Sequence, residues 1–200
     1  MKYILPVPYF IQPTETTCQA TSCKMLAVYY DKSKETISEE DIKNEINSDS
    51  RRPEKKTKNH FDNMLWWLNK ELEGTRVFMR ESLRQDEAIP KLINCINMKQ
   101  PVLLSTNHTD VIGHIIVVVG YENYIPNTSR SDFKFVINDP YGKFHASLGS
   151  KLHGKKRFQG GMSLLKGGSE GPGRNLSLDE YQIGRTRKDQ HSYGVYHMIY

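Results

Sequence analysis

An α+β fold is predicted from the way that helical and strand-forming patterns divide the 200-residue sequence. In the first half, apolar residues recur at helical spacing behind N-capping residues, and in the second half come runs rich in Val, Ile and Phe. A helical half followed by a sheet-forming half is typical of the α+β class. The length suits one ordinary domain, so we expect residues 1–200 to form a single domain with its own core.

The first half of the sequence predicts an extended start and four helices. Pro6 and Pro8 exclude a helix from the N-terminal residues. Thr16 and Thr17 are good N-cap residues for a helix that begins at Cys18. A second helix is expected from Ser38 to about Ile46, followed by a polar loop over 47–59. A third helix is expected from about Phe61 to Leu72, with one of Trp66 and Trp67 in the core. A short strand over Thr75–Arg80 and a helix from about Glu87 to Met98, with Pro90 in its first turn, complete this half.

The second half predicts a sheet that is interrupted by a glycine-rich segment. Strands are expected in 101–106, 113–122 and 133–139, and the closing residues GVYHMIY are expected to add one more strand to the same sheet. Eight of the fourteen glycines lie between Gly149 and Gly173. We therefore expect about 149–175 to form an inserted loop or lid rather than part of the core. Ser177 and Glu180 have the spacing of a capping box, which predicts a last helix.

The composition excludes disordered and membrane-spanning classes. Hydrophobic residues at 37% and charged residues at 26% are typical of a globular protein. No apolar run approaches the roughly 20 residues that a helix needs to span a bilayer. The N-terminal apolar stretch is too short and too interrupted for a signal peptide. We expect no membrane association, and either a cytoplasmic location or delivery into the cytosol of a target cell without a classical signal peptide.

Positive charge is concentrated in one part of the sequence. The whole chain has a formal net charge of +5, but ten Lys/Arg against three Asp/Glu lie between Lys143 and Lys188. This basic segment is either a solvated face or a surface for an acidic protein partner or a nucleic-acid-associated substrate. It contains no nucleic-acid-binding motif, and its aromatic residues are not interleaved with the basic ones. We therefore expect no direct binding of nucleic acid.

The three cysteines favour a nucleophile over a disulfide scaffold or a zinc site. Cys18, Cys23 and Cys95 form no CxxC pair and leave an odd thiol, which indicates a reducing compartment. Cys18 would lie in the first turn of its helix, where the unpaired N–H groups and the helix dipole stabilise a thiolate. Cys23 lies more than a turn further on, and Cys95 lies in an apolar helical pattern, so both are expected in the core.

Three further residues could complete a catalytic site around Cys18. His114 opens the strand GHIIVVVGY and Asp139 follows the strand FVIN, so antiparallel pairing of the two strands would bring both residues to one edge of the sheet. A carboxylate there would orient the imidazole, which would act as the general base toward the thiol. Gln12, six positions before the cysteine, could place a side-chain amide beside the cysteine N–H as an oxyanion hole.

Metal and cofactor sites have weaker support in the sequence. The spacing of His108, Asp110 and His114 matches no standard set of metal ligands. The Gly-Gly pairs lack the strand–turn–helix context of a phosphate- or dinucleotide-binding loop. We expect neither a metal nor a cofactor.

The runs VPYFIQPTETTCQATSCKML, GHIIVVVGYE and INDPYG carry a family resemblance. They resemble the cysteine, histidine and Asp-Pro blocks of the bacteriocin double-glycine leader-processing peptidases, in the papain-like clan. The resemblance covers residues 3–30 and 101–148. It implies a papain-like cysteine peptidase fold with the nucleophile on a helix N-terminus packed on an antiparallel sheet, and it implies the four catalytic roles given above.

The resemblance also has departures and further implications. The family usually has Gly-Pro directly after the cysteine, whereas this chain has Gln19-Ala20, and the leader-processing members are fused to a transporter that this sequence does not contain. Protein substrates are implied, with cleavage after Gly-Gly in a narrow cleft, and the chain's own Gly160–Gly161 and Gly167–Gly168 could be cut. The stand-alone architecture and the basic segment suggest a bacterial toxin or effector domain that is delivered into competitor cells and blocked by an immunity protein.

Two other functions are open from the sequence. The same triad attacks side-chain amides, so a glutamine deamidase or a transglutaminase-like toxin is one alternative. A non-catalytic module that binds peptides in the cleft is another. The presence of all four expected residues favours an enzyme.

Overall fold

A computed structural model defines the fold. It describes residues 2–14, 16–48, 61–106, 114–126, 133–140, 174–176 and 195–200. Within these residues, helices pack against one seven-stranded sheet, which is the predicted α+β class. The helices are α1 (Cys18–Tyr30), a 3₁₀ helix (Lys32–Thr36), α2 (Glu39–Ser48), α3 (Phe61–Glu71) and α4 (Gln85–Asn97). The strands are β1 (Lys2–Ile4), β2 (Arg80–Arg84), β3 (Val102–Thr106), β4 (His114–Glu122), β5 (Lys134–Asn138), β6 (Arg174–Leu176) and β7 (Val195–Ile199).

The sheet is antiparallel at every described pairing. Its strands follow the order β2-β7-β3-β4-β5-β6, and β1 pairs with β4 outside this path. The first five residues of β4 pair with β3, and its last three pair with β1. On the β5 side, the pairing runs from Val117 opposite Asn138 to Glu122 opposite Lys134. The antiparallel relation of the histidine strand β4 and the aspartate strand β5 is therefore confirmed.

Helix α1 is the centre of the core. It packs against β3, β4, α2 and α3, and every residue from Ala20 to Val28 is buried. Small and apolar side chains occupy most of its circumference, as expected for a helix that is enclosed rather than amphipathic. Such a helix cannot slide or rotate without opening the surrounding core, so its first residue has a fixed place relative to the sheet.

Most of the predicted elements are confirmed. Helix α1 begins at Cys18 as expected, and the helices at α2 and α3 and the strands β3, β4 and β5 lie where the patterns placed them. Ser38 caps α2 by accepting a hydrogen bond from the Asp41 backbone N–H at 3.1 Å. Trp67 is 1% exposed while Trp66 is only partly buried, so one tryptophan of the pair is in the core.

The strand predicted over Thr75–Arg80 is wrong, since the strand begins at Arg80 and runs to Arg84. Gly74 adopts a φ of 77°, and the chain turns there. The Asn69 side chain then binds both backbone groups of Phe78, accepting from its N–H at 2.7 Å and donating to its carbonyl at 3.3 Å. A side chain thus satisfies the backbone at Phe78, and the local sequence pattern does not reveal this.

Helix α4 differs from its prediction at its start. It begins at Gln85, because the Glu87 carboxylate accepts a hydrogen bond from the Arg84 N–H at 3.1 Å and fixes the first turn. Pro90 is consequently the sixth helical residue and not part of the first turn. The helix lacks one backbone hydrogen bond there, because proline has no N–H to donate.

The C-terminal strands extend the sheet in two ways. The expected closing strand is β7, and it belongs to the same sheet, where it lies between β2 and β3. Residues 174–176 form β6 and pair with β5, so the end of the predicted lid at 174–175 belongs to the sheet. The rest of the glycine-rich segment, most of the loop over 47–59 and the helix expected after Ser177 lie outside the described residues.

A glycine-to-alanine change at Gly120 tests the close approach of β1 to β4. A Cβ there would meet the Tyr3 carbonyl oxygen and would lie 2.8 Å from the Ile4 Cα. Both obstacles are backbone, so Gly120→Ala should lower the free energy of unfolding by about 1–3 kcal/mol. Urea denaturation measures the loss.

The matched control is the same substitution in a chain that lacks Met1–Ile4. Both obstructing atoms are then absent, so the penalty of Gly120→Ala should fall below about 0.5 kcal/mol. Equal losses in the long and the short chain would contradict the steric explanation.

Candidate active site

The predicted nucleophile lies at the N-terminus of the buried helix. Cys18 is the first residue of α1, and the residue is buried, with 9% of its surface exposed. The first-turn N–H groups of a helix have no intrahelical acceptors and form the positive end of the helix dipole. The position is therefore one at which a thiolate or an oxyanion is stabilised.

A compact turn precedes the cysteine. Thr17 is fully buried, and its hydroxyl donates to the Thr14 carbonyl at 3.0 Å while it accepts from the Thr14 N–H at 3.1 Å. Of the two predicted N-cap residues, Thr17 occupies the cap position, but its hydroxyl is used inside the turn and makes no hydrogen bond to the helix. The turn thus fixes how the chain enters α1, and it leaves the first-turn N–H groups of the helix to other acceptors.

Gln12 is held at both its backbone and its side chain. It is 0% exposed, its backbone N–H donates to the Pro140 carbonyl at 2.9 Å, and its Nε2 donates to the Thr14 carbonyl at 2.6 Å. Its Oε1 has no hydrogen-bond partner in the described part of the chain. Because a side-chain amide carries two N–H donors, one donor remains after the bond to Thr14.

Asp139 follows β5 directly and is 1% exposed. The Tyr9 hydroxyl donates to the Asp139 backbone carbonyl at 2.9 Å. The neighbouring Asn138, also 1% exposed, donates from Nδ2 to the carbonyls of Val7 at 3.3 Å and Pro8 at 3.4 Å. Together with the bond from Gln12 to Pro140, these contacts attach residues 7–12 to the end of β5.

His114 is the first residue of β4 and lies opposite Thr106 of β3. Because β4 and β5 are antiparallel and Val117 pairs with Asn138, the start of β4 and the end of β5 are at the same end of the sheet. The backbone positions of His114 and Asp139 are therefore brought together, as the strand patterns predicted.

A hydrogen bond connects the cysteine helix to the histidine strand. The Ser22 hydroxyl, one helical turn after Cys18, donates to the Ile115 carbonyl at 3.2 Å. Ile115 directly follows His114 in β4. All four residues predicted for the site thus belong to segments that are joined at one end of the sheet.

The other two cysteines are core residues, as predicted. Cys23 is 0% exposed and Cys95 is 1% exposed. Burial raises the pKa of the Cys23 thiol, and the charge of Cys18 is a second, smaller cause of the same increase. Burial raises the pKa of the Cys95 thiol to about 11. Both are protonated near neutral pH and are poor nucleophiles there.

Sequence reasoning missed the residues that support the site. Tyr9, Thr14, Ser22 and Asn138 each make a hydrogen bond that fixes one of the predicted segments. A signal existed for Asn138, since a polar residue ends the apolar run FVI just before an aspartate. For Ser22 there was none, because a serine inside a helix gives no indication of its partner.

Neither a metal site nor a membrane span is found in the described residues. They contain no group of three or more His, Cys, Asp or Glu side chains that could hold a metal ion. None of their helices has the length and hydropathy needed to cross a bilayer. His108 and Asp110 lie outside these residues.

Comparison with known proteins assigns the chain to a class and a family. Residues 4–160 match the Peptidase_C39 like family. A crystal structure of a candidate C39-like peptidase from Bacillus anthracis is similar, with a TM-score of 0.48 and 19% sequence identity over 70% of this chain and 84% of that one. No curated protein matches the chain.

With its α+β fold and a helix that begins at a cysteine, the protein is a papain-like cysteine peptidase. More specifically, it belongs to the Peptidase_C39 like family, whose match covers well over half of the sequence. The family expected from the three sequence blocks is confirmed.

Alkylation of the native protein tests the thiol environments. At about pH 8, iodoacetamide should label Cys95 roughly 100-fold more slowly than an unperturbed thiol, because a pKa of about 11 leaves very little thiolate. Raising the pH toward 11 should accelerate this labelling about tenfold per unit for as long as the fold persists. Peptide mass spectrometry identifies the labelled cysteine.

The control is the urea-unfolded chain, in which all three cysteines should react at similar rates. Native Cys23 or Cys95 reacting as fast as in the unfolded chain would contradict the burial of these thiols.

Proposed function

We propose that the protein hydrolyses peptide bonds in protein substrates with Cys18 as the nucleophile, His114 as the general base, Asp139 as the group that orients the histidine, and Gln12 as an oxyanion donor. The observation that carries the proposal is the hydrogen bond from the Gln12 N–H to the Pro140 carbonyl. It joins the segment that leads into the cysteine helix to the residue after Asp139, at the end of the sheet where the histidine strand begins.

The environment of Cys18 supports its role. Cys18 is the first residue of α1, where the backbone N–H groups of the first turn have no intrahelical acceptor and can donate to a negatively charged atom. A neighbouring imidazole that takes the proton would stabilise the thiolate further as an ion pair. All three cysteines are buried, but Cys23 and Cys95 are enclosed more fully, at 0% and 1% exposed against 9% for Cys18, and burial raises the pKa of both, which supports Cys18 as the reactive thiol.

The reaction follows from these positions. The Cys18 thiolate attacks the carbonyl carbon of the scissile bond, and the negative charge moves to the carbonyl oxygen. The second Gln12 N–H and the Cys18 backbone N–H donate to that oxygen. The imidazolium of His114 then protonates the departing amine, and a thioester remains. Water, deprotonated by the same imidazole, hydrolyses the thioester and regenerates the thiol.

Gln12 variants test the oxyanion role. One oxyanion donor is typically worth roughly 3 kcal/mol in the transition state, so Gln12→Ala should lower kcat about 100-fold or more with little change in KM. Gln12→Glu preserves the shape but replaces the donor with an acceptor, so it should lose at least as much. Steady-state kinetics on a cleaved protein provides the measurement.

Cys18→Ala, which should have no activity, defines the background rate. Thermal melting shows whether each variant is folded, since the bond from the Gln12 backbone to Pro140 is retained in both. A folded Gln12→Ala protein with a near-normal kcat would remove Gln12 from the mechanism.

The substrate proposal is finer and rests on the sequence resemblance. We infer cleavage after Gly-Gly, because a narrow cleft admits residues without side chains. The alternative is attack on a glutamine side chain by the same triad, which deamidates or crosslinks the substrate instead of splitting it. A peptide-binding module without turnover is the third candidate.

A bacterial proteome exposed to the protein distinguishes these functions. New N-termini that follow Gly-Gly and are absent with Cys18→Ala are the expected result, measured by N-terminal mass spectrometry. The chain's own pairs at Gly160–Gly161 and Gly167–Gly168 are examined in the same sample. Cys18-dependent mass changes without new N-termini would instead establish deamidation or acyl transfer, and an unreactive Cys18 would favour the binding module.

The biological setting is also a proposal. Delivery into competitor cells and inhibition by an immunity protein are suggested by the basic segment between Lys143 and Lys188, which suits an acidic protein partner. The proteome experiment bears on this setting as well, since an essential bacterial substrate would favour the role of a toxin.

A further inference from the structure

Ser22 joins two elements of the site through one buried hydrogen bond. The residue is 0% exposed, and its hydroxyl donates to the Ile115 carbonyl at 3.2 Å. Ile115 is itself 5% exposed, so neither end of the bond is in contact with bulk water. A buried bond of this kind is costly to break, because water does not replace the lost partner.

The bond lies beside both members of the proposed catalytic pair. Residues four apart in a helix lie on the same face one turn apart, so Ser22 is directly below Cys18. On the other side of the bond, Ile115 is the residue after His114. The hydrogen bond therefore connects the cysteine helix to the histidine strand. Its donor lies one helical turn after Cys18, and its acceptor lies one residue after His114.

The partner of the hydroxyl is not the one that local structure offers. A serine within a helix commonly donates to the carbonyl four residues earlier, which here is the carbonyl of Cys18 itself. Ser22 donates across to β4 instead. The neighbouring Thr21 is equally buried, but its hydroxyl has no hydrogen-bond partner in the described part of the chain. Burial in α1 alone therefore does not produce such a bond.

We propose that Ser22 is a positioning residue of the peptidase, whose hydroxyl sets the separation between the start of the cysteine helix and the start of the histidine strand. The inference rests on the proposed roles of Cys18 and His114. Without the hydroxyl, the helix and the strand remain packed but lose the bond that fixes their register near the reacting atoms. Displacements of about 1 Å in such a pair can cost up to about 100-fold in rate.

Ser22→Ala should lower kcat about tenfold and leave KM within about twofold, since the residue does not contact the substrate. It should also shift the pH profile. An imidazolium close to the thiolate lowers the thiol pKa, and a looser pair lowers it less. The acid limb of kcat/KM should therefore move to higher pH. A purely structural role would lower the melting temperature without moving this limb.

The matched control is Thr21→Val. It removes a buried hydroxyl from the position directly before Ser22 in the same helix, where no hydrogen bond is lost among the described residues. This variant should retain the wild-type kcat and pH profile. Ser22→Thr keeps a hydroxyl at the site and should recover more of kcat than Ser22→Ala.

The pH dependence of Cys18 alkylation and of substrate cleavage is measured for the wild type and the three variants on the full chain. A shifted acid limb in Ser22→Ala, absent in Thr21→Val, supports the inference. Unchanged kcat and pH dependence in folded Ser22→Ala would overturn it, and so would a Ser22→Ala protein that does not fold while Thr21→Val does. If Cys18→Ala cleaves substrate as fast as the wild type, the proposed function itself fails, whatever the Ser22 variants do.

Discussion

The site depends on the attachment of residues 7–12 to the end of β5. Four hydrogen bonds make the attachment, from Tyr9, Gln12 and twice from Asn138, and the four backbone carbonyls that accept them belong to two pairs of consecutive residues, Val7–Pro8 and Asp139–Pro140. These contacts join residues about 130 positions apart in the sequence. Once they form, the turn into α1 has little freedom, and the position of Cys18 relative to the sheet follows.

The region of this attachment differs from the rest of the interior in its chemistry. Gln12, Thr17, Ser22, Asn138 and Asp139 are all at most 1% exposed, whereas the bulk of the core is aliphatic and aromatic. Buried polar groups require hydrogen-bond partners and are costly when unpaired. In this cluster the Gln12 Oε1 has no partner within the described residues. Such departures from a purely apolar core are typical of functional sites, where positioning is retained at a cost in stability.

The sequence predicted those parts of the fold that depend on local pattern. The start of α1 at Cys18, the strands β3 to β5 and the burial of one tryptophan of the pair Trp66 and Trp67 follow from periodicity, capping residues and residue type. The start of β2 was misplaced because an asparagine side chain satisfies the backbone at Phe78. The interior place of β7 was missed because it depends on pairing with β2 and β3, which are more than 85 positions earlier. Sequence blocks indicated the candidate catalytic residues, whereas their supports, such as Ser22, depend on contacts across the fold.

The two cysteines of α1 have different environments although they lie in the same helix. Cys18 and Cys23 lie five residues apart in one helix. Cys23 is enclosed more than a turn inside the helix, where burial opposes ionisation and a charge on Cys18 would oppose it further. Cys18 lies where the helix presents unpaired N–H groups. A charge on Cys18 would therefore add to the burial that keeps Cys23 protonated, in agreement with the proposed role of Cys18 as the reactive thiol of this helix.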